Sequence, residues 1–434
     1  MTKGKTLGPQ LDGHGFVPGY SKGGRWLSED RTERPVAALI TLTIWRRWRH
    51  SLGSNNGQQE GLDSSAQLFP AWVLQLLYPD LLDYINWLWE KRRLPPLNLG
   101  CAGSDPCFTP PLLKNDSHGG SGSGGGSSSN NSSSTTPPAS WWCKKSWGMG
   151  KLQGARFESL DNSPMYDSPP GGNGYTFWNS SIHRMELYDV GQSAAIVSEC
   201  NALAELAELL NHDDDAAVLR QRAKTLGSLI NKHMWAPELS VYSNVLTTGK
   251  LYPRISPTSF LPLLAGLATD TQAVSTTTRW LTNRSRFCVP VDAEAWPPAG
   301  GPPSSAIANR SCYWGLPSIS ADDDAFMVAG GTSGIYWRGQ TWAPQAFLTY
   351  LALKKYAHVP ALAAAAKGLC TQQLDLMLSV WRPQHHICEN YGSIWDPSPR
   401  TLSPDPSGNE CTGNRFYSWG GLSALMSLME NGHY

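Results

Sequence analysis

Two carboxylates lie in irregular, polar stretches of sequence where they could do acid–base work. Asp161 stands in LDNSPMYD and Glu389 in ICENYG. A carboxyl held among apolar and aromatic groups has its pKa raised, because desolvation penalises the charged form. Such a group can donate a proton, while a second carboxylate across a cleft takes one from water. That division of labour breaks a glycosidic bond and calls for no cofactor. Asp161 is followed by Asn162, Ser163 and Pro164, which stiffen its loop and supply hydrogen-bonding groups; Glu389 is followed by Asn390 and Tyr391. The same letters also read as an Asp cap ahead of a Pro-initiated helical turn, and as a simple turn at ENYG. Asp167 and Asp189 are further candidates, each with a plain structural alternative as a cap or surface residue. Asp322, Asp323 and Asp324 read as a solvated charge run opening a turn.

Other chemistries find less support. No GxSxG occurs, and His385–His386 has no nucleophile motif nearby. Nine cysteines are widely spaced without a CxxC, and HH followed by CENY lacks metal-ligand spacing, so no metal is expected. Lys+Arg and Asp+Glu are equal at 35 each, which argues against a nucleic-acid partner, whose phosphates demand a basic face. The apolar run Val36–Trp45 has about half the length that spans a bilayer, so no membrane partner is expected either. Nineteen tryptophans must mostly fill a core, with a minority free to stack on sugar faces in a cleft. The opening MTKGKTLGPQ lacks an apolar h-region, so the expected compartment is the cytoplasm. Asn-x-Ser sequons at Asn115, Asn130, Asn131, Asn179, Asn283 and Asn309 matter only if the chain is secreted.

The elements that must position these groups are helical. Residues 1–60 form a poorly defined N-terminal segment around one apolar run. Residues 66–93 read as a helix pair, LFPAWVLQLLYP and DLLDYINWLWEKRR. A Gly/Ser/Asn tract, within a disordered insertion at about 115–140, cannot bury apolar surface. Beyond it, MELYDVGQSAAIVSECNALAELAELLNH, DDDAAVLRQRAKTLGSLINKHMW, TWAPQAFLTYLALKKYAH, PALAAAAKGLCTQQLDLMLSVW and SWGGLSALMSLMENG carry helical spacing, with an acidic first turn in the second. Long helices in hairpins with few alternating runs indicate an all-α array, and a closed ring of hairpins is an α/α barrel. FESLDNSPMYD, GIYWRGQTW, HICENYGSIWDP and NRFYSWGG interrupt the pattern at helix edges, where function concentrates.

Taken together, LDNSPMYD, ELYDVGQSA, RISPTSFLPLLAGLAT, GLPSISADDDAF, YWRGQTWAPQAFLTYLALKKY, CENYG and FYSWGGLSALMSLME resemble, in this order, glycoside hydrolase family 63 and especially its mannosylglycerate hydrolase-like members. The resemblance runs from about Leu76 to Gly432. It implies an (α/α)6 barrel over 61–434 that hydrolyses α-glucosyl or α-mannosyl bonds with inversion, acting on a small carbohydrate such as mannosylglycerate or glucosylglycerate. An oligosaccharide-trimming α-glucosidase and a non-catalytic sugar-binding relative are the alternatives. Carried over by motif, the general acid falls on Asp161 and the general base on Glu389. Tyr336 and Trp337 would line the sugar site, Arg338 would bond sugar hydroxyls or act as a clamp, and Trp342, Tyr391, Trp419 and Gln67 would complete the pocket. Two departures stand out. Ser159 occupies a position where the family commonly has Gly, and residues 1–60 do not resemble the family's first barrel helices, which implies a barrel with incomplete N-terminal helices.

Overall fold

The computed structural model describes residues 17, 21–22, 26–27, 32–54, 69–103, 160, 162–167, 177–179, 182, 184–288, 315–326, 336–391 and 417–432. Its helices are α1 (Ala37–Ser54), α2 (Phe69–Lys91), α3 (Val190–Leu209), α4 (Asp213–His233), α5 (Leu261–Leu264), α6 (Asp270–Thr276), α7 (Ala343–Lys355), α8 (Pro360–Gln384) and α9 (Leu422–Glu430). The Gly/Ser insertion expected at about 115–140 lies outside the described residues.

Helix α3 is the hub. It is buried around almost its whole circumference, and α1, α2, α4 and α5 all pack on it. Ala194, Ala195, Ala202, Ala204 and Ala207 keep it slim enough for neighbours to close in from several sides. Its start is set by Asp189, whose Oδ1 accepts from the Gln192 amide at 2.9 Å. Helix α4 has the opposite character. Ala216, Leu219, Ala223, Leu226 and Ile230 form one buried stripe, and Asp213, Asp214 and Asp215 complement the positive end of its dipole. Helices α7, α8 and α9 pack on one another in the same manner, and α5 joins α7 to α3. Strands are two or three residues long and serve as clasps. Tyr188 and Leu187 pair with Val245 and Leu246, and Asn244 Oδ1 accepts from the first amide of α3, Val190, at 2.9 Å.

Two regions differ from the reading of the sequence. The expected helix pair in 66–93 is one helix, α2, which runs through Pro79. Proline removes an amide donor and usually ends a helix. Here Pro79 faces solvent, while Tyr78, Tyr84, Ile85 and Leu88 are buried in the main core and hold both halves in line. Tyr78 also stacks on His212 at 5.0 Å and donates to Asp215 at 2.8 Å, fixing the helix at the break itself.

The segment 1–60 contains α1, with Ala38 and Leu42 in the same core. Glu199 of α3 receives its first free amides, Ala38 N at 2.8 Å and Leu39 N at 2.9 Å. Burial pushes the Glu199 carboxyl up to about 7, although both amides pull it down. An unfolded chain ionises this group near its ordinary value of 4.5. Between those values the folded protein keeps a proton that the unfolded chain has lost, so stability falls as pH rises through that window and levels off above about 7. The stability difference between wild type and Glu199→Gln should therefore shift by about 3 kcal/mol from pH 4 to pH 8, to the disadvantage of wild type. Chemical denaturation at both pH values checks this; a constant difference would show that the carboxyl titrates in the folded protein as it does in the unfolded chain.

No helix among the described residues is long and apolar enough to cross a membrane.

Candidate active site

The segment Tyr336–Trp342 builds the centre of the site. A 3-10 turn, Tyr336–Arg338, is followed by Gly339 at φ 154°, a conformation open to glycine, and the chain then enters α7 through Trp342. This doubling back lays Trp337 flat on Trp342, with ring centroids 3.7 Å apart and planes at 5°. Both rings are sealed, at 4% and 0% exposure, among Leu160, Met165, Tyr166, Met185, Leu187 and Tyr252. Trp337, expected to line the sugar site, is thus part of the floor beneath it, as is Trp342. The flat stack excludes water more completely than it could offer a face. Tyr336 stands edge-on to Trp342 at 4.7 Å and 86°, half-buried, with a φ of 20° that is rare for an aromatic residue.

From that position the Tyr336 hydroxyl reaches Glu389 Oε1 at 3.1 Å. The Glu389 loop is pinned on both sides. Tyr391 and Thr341 exchange two backbone hydrogen bonds of 3.0 Å, which ties the loop to the chain just after YWRG. Tyr391 is itself 1% exposed, so its contribution is made through this pairing. On the other side Gly420 packs so closely that a Cβ there would lie 2.5 Å from the Cys388 carbonyl oxygen. Gly420→Ala must push SWGG and the Glu389 loop apart, an overpacking that typically costs about 1–3 kcal/mol. The expected result is a lowered Tm together with a drop in kcat larger than the rise in KM, read by steady-state kinetics. Unchanged kinetics would show that the loop can shift freely. Trp419 is half-buried 6.1 Å from Trp342 and closes this side of the cluster.

Asp161 and Gln67 lie outside the described residues. The neighbours of Asp161 are described: Leu160 belongs to the apolar floor, and Asn162 Oδ1 accepts from the Trp337 amide at 2.7 Å. The 3-10 turn that follows, Pro164–Tyr166, has Ser163 at its cap position and no side-chain capping bond. Asn162, read from the sequence as a supplier of hydrogen-bonding groups, thus ties the LDNSPMYD loop to the YWRG turn.

Arg338 acts as a clamp: its Nη2 binds Asp167 Oδ1 at 2.7 Å. The Asp167 carbonyl accepts from the Tyr252 hydroxyl, and Arg254 Nε donates to that same hydroxyl at 3.1 Å. Arg254 in turn pairs with Asp323, and with Asp324 at 2.7 Å, while Arg286 pairs with Asp322 at 3.0 Å. The acidic run 322–324 is thus solvated only in part: Asp322 and Asp324 are exposed, while Asp323 is largely enclosed beside Arg254. Arginines 36 to 70 positions away in sequence recruit it into a belt around the LDNSPMYD loop. Asp189, weighed as a catalytic candidate, is the cap of α3 and is matched by Arg34 at 3.0 Å. The geometry thus gathers Glu389, Tyr336, Arg338 and Trp419 at accessible or half-accessible positions above a dry aromatic floor.

A family model described as the mannosylglycerate hydrolase MGH1-like glycoside hydrolase domain matches residues 15–392. The match begins well before Leu76, so much of the segment that seemed foreign to the family is part of it. A search of curated protein sequences returns no match. Among solved structures, the family 63 mannosylglycerate hydrolase from Thermus thermophilus in complex with glucose superposes with a TM-score of 0.53 at 17% identity, covering 94% of this chain and 78% of that one. The same enzyme with Tris and D-glycerate gives 0.54 at 17% identity, with 96% and 84% covered. The neutral trehalase of Saccharomyces cerevisiae gives 0.52 at 15% identity; this chain aligns over 92% of its length with 62% of that chain. These likenesses establish the (α/α)6 barrel fold expected for an all-α chain. The chain belongs to the MGH1-like family of glycoside hydrolases.

Proposed function

We propose that the protein hydrolyses a small α-glycoside with inversion, Asp161 acting as general acid and Glu389 as general base. The observation that carries this reading is the Tyr336–Glu389 hydrogen bond above the Trp337–Trp342 stack, in a segment whose next amide is held by the neighbour of Asp161. A phenol hydroxyl donating to Glu389 orients the carboxylate that is to take a proton from water. As that water attacks the anomeric carbon, Asp161 protonates the departing glycosidic oxygen from the opposite face. Inversion calls for a carboxyl separation of about 6.5–9.5 Å, room enough for the water. Trp419 and Tyr336 supply the half-exposed aromatic faces for the sugar, and Arg338 holds the LDNSPMYD loop against Asp167. Gln67 completes the pocket from the chain just ahead of α2.

The substrate class assigned here, an α-mannosyl or α-glucosyl unit on a small hydroxy acid, is supported by the family and by the relative whose structures hold glucose and D-glycerate. The catalytic barrel begins ahead of residue 61, because α1 fills part of the main core. Proton NMR of the first-formed sugar tests the reaction. Mannosylglycerate or glucosylglycerate should release the β-anomer first, and Asp161→Asn should slow release most for poor leaving groups. Early α-anomer would make the mechanism retaining, and turnover of trehalose or oligosaccharides alone would move the substrate assignment.

A further inference from the structure

Cys288 and Cys388 are each disulfide-bonded. Cys200 and Cys370, by contrast, are thiols buried at 0% and 4% exposure. Burial pushes the Cys200 thiol up to about 12, and the Cys370 thiol is raised for the same reason. Oxidation proceeds through the thiolate, so these two survive an oxidising medium untouched. This distribution suits a protein that matures where disulfides form, and such bonds are rare in the cytosol. In that setting the Asn-x-Ser sequons acquire meaning.

One sequon, Asn283–Ser285, is described whole, and of another the asparagine, Asn179, is described; the two asparagines differ. Asn179 lies in a strand and its Nδ2 donates to Glu186 Oε1 at 2.9 Å, so the nitrogen that would carry a sugar is engaged. Asn283 lies in the tight turn after α6. Its Oδ1 accepts from the Ser285 amide at 2.9 Å and from the Ser285 hydroxyl at 2.8 Å, so the sequon is folded on itself with its serine against its asparagine. Arg286 N and Cys288 N both donate to the Asn283 carbonyl, at 3.1 and 3.0 Å, so the turn leads directly into a disulfide-bonded cysteine. Thr282 is exposed and Asn283, Arg284 and Ser285 are partly exposed, which leaves room for a glycan.

We propose that the chain matures in an oxidising secretory compartment and carries an N-linked glycan on Asn283. In the modification, Asn283 Nδ2 bonds to the anomeric carbon of a lipid-diphosphate-linked oligosaccharide and loses a proton. The bond from that carbon to the diphosphate oxygen breaks, and the lipid diphosphate leaves with the electron pair. The thiols of Cys288 and Cys388, with those of their partners, give up two electrons and two protons per bond to a protein-disulfide oxidant of the compartment. This assignment is independent of the Asp161–Glu389 pair and survives if that pair is wrong.

The test uses protein purified from its own cells. Peptide N-glycosidase in heavy-oxygen water should convert Asn283 to labelled Asp. A non-reducing peptide map should show the Cys288 and Cys388 peptides crosslinked, and alkylation without reductant should leave both unlabelled. In a secreting eukaryotic host, Ser285→Ala should remove the same glycan while Asn283 remains. Unmodified Asn283 with alkylated Cys288 and Cys388 would overturn the proposal, as would crosslinked cysteines with no glycan at Asn283.

Discussion

Glu389→Gln should abolish most turnover while the protein folds as before. Gln matches Glu in size and can still accept the Tyr336 hydroxyl at the position of Oε1, so the contact recorded at 3.1 Å survives. What it cannot do is take a proton from water. Loss of a positioned general base typically lowers kcat by about 10²–10⁴-fold. The loss should appear in kcat and in kcat/KM alike, because the proton moves only in the transition state. Thermal melting should be nearly unchanged, because the loop is held through other atoms. The Tyr391–Thr341 backbone pair and the close seat of Gly420 do not involve the Glu389 carboxylate. A variant with near-native kcat would remove Glu389 from the chemistry. A variant that also melts many degrees lower would show instead that Glu389 supports structure.

Much of this site was legible because its residues interrupt helices. YWRG, CENYG and SWGG stand out as Trp-, Gly- and polar-rich breaks in an apolar period, and the structure brings Tyr336, Glu389 and Trp419 to one aromatic cluster. The main helices were legible as well, since α4 and α8 carry ordinary amphipathic or alanine-rich spacing. Pairings distant in sequence were not. Nothing in the letters links Arg254 to Asp323, or Asn162 to the Trp337 amide 175 positions later. Nor does sequence distinguish a tryptophan that offers its face from one that stacks: Trp337 and Trp342 share one short motif and lie sealed against each other. Helix α1 was missed for a related reason. Its apolar residues are bunched in AALITLTIW rather than spread at helical spacing, and a buried carboxylate on another helix fixes its start. Pro79 misled because local breaking was outweighed by burial on either side.

Arg34→Ala should cost the fold more than any other single exposed-to-buried truncation in the N-terminal segment. Asp189 is fully buried, and its Oδ2 accepts both from Arg34 Nη2 at 3.0 Å and from the Tyr166 hydroxyl. Its Oδ1 is committed to the α3 cap. Removing the guanidinium leaves a buried carboxylate with neutral donors only, a change that costs about 3–5 kcal/mol. That is a large part of the roughly 5–15 kcal/mol available to a typical fold. The same substitution reaches the site, because Arg34 Nη2 also donates to Tyr166 at 3.0 Å, and Tyr166 closes the turn of LDNSPMYD. Denaturant unfolding should show the loss, and kinetics should show a rise in KM. Adding Asp189→Asn to the alanine variant should return part of the stability, since the stranded charge is gone while an oxygen remains for the Gln192 amide. That recovery separates a charge effect from lost packing. A loss below about 1 kcal/mol, the range of an exposed ion pair, would mean that Arg34 is not anchored against Asp189. The segment ahead of α1 would then be an appendage, and among the described residues the LDNSPMYD loop would depend on Arg338 for its positive clamp.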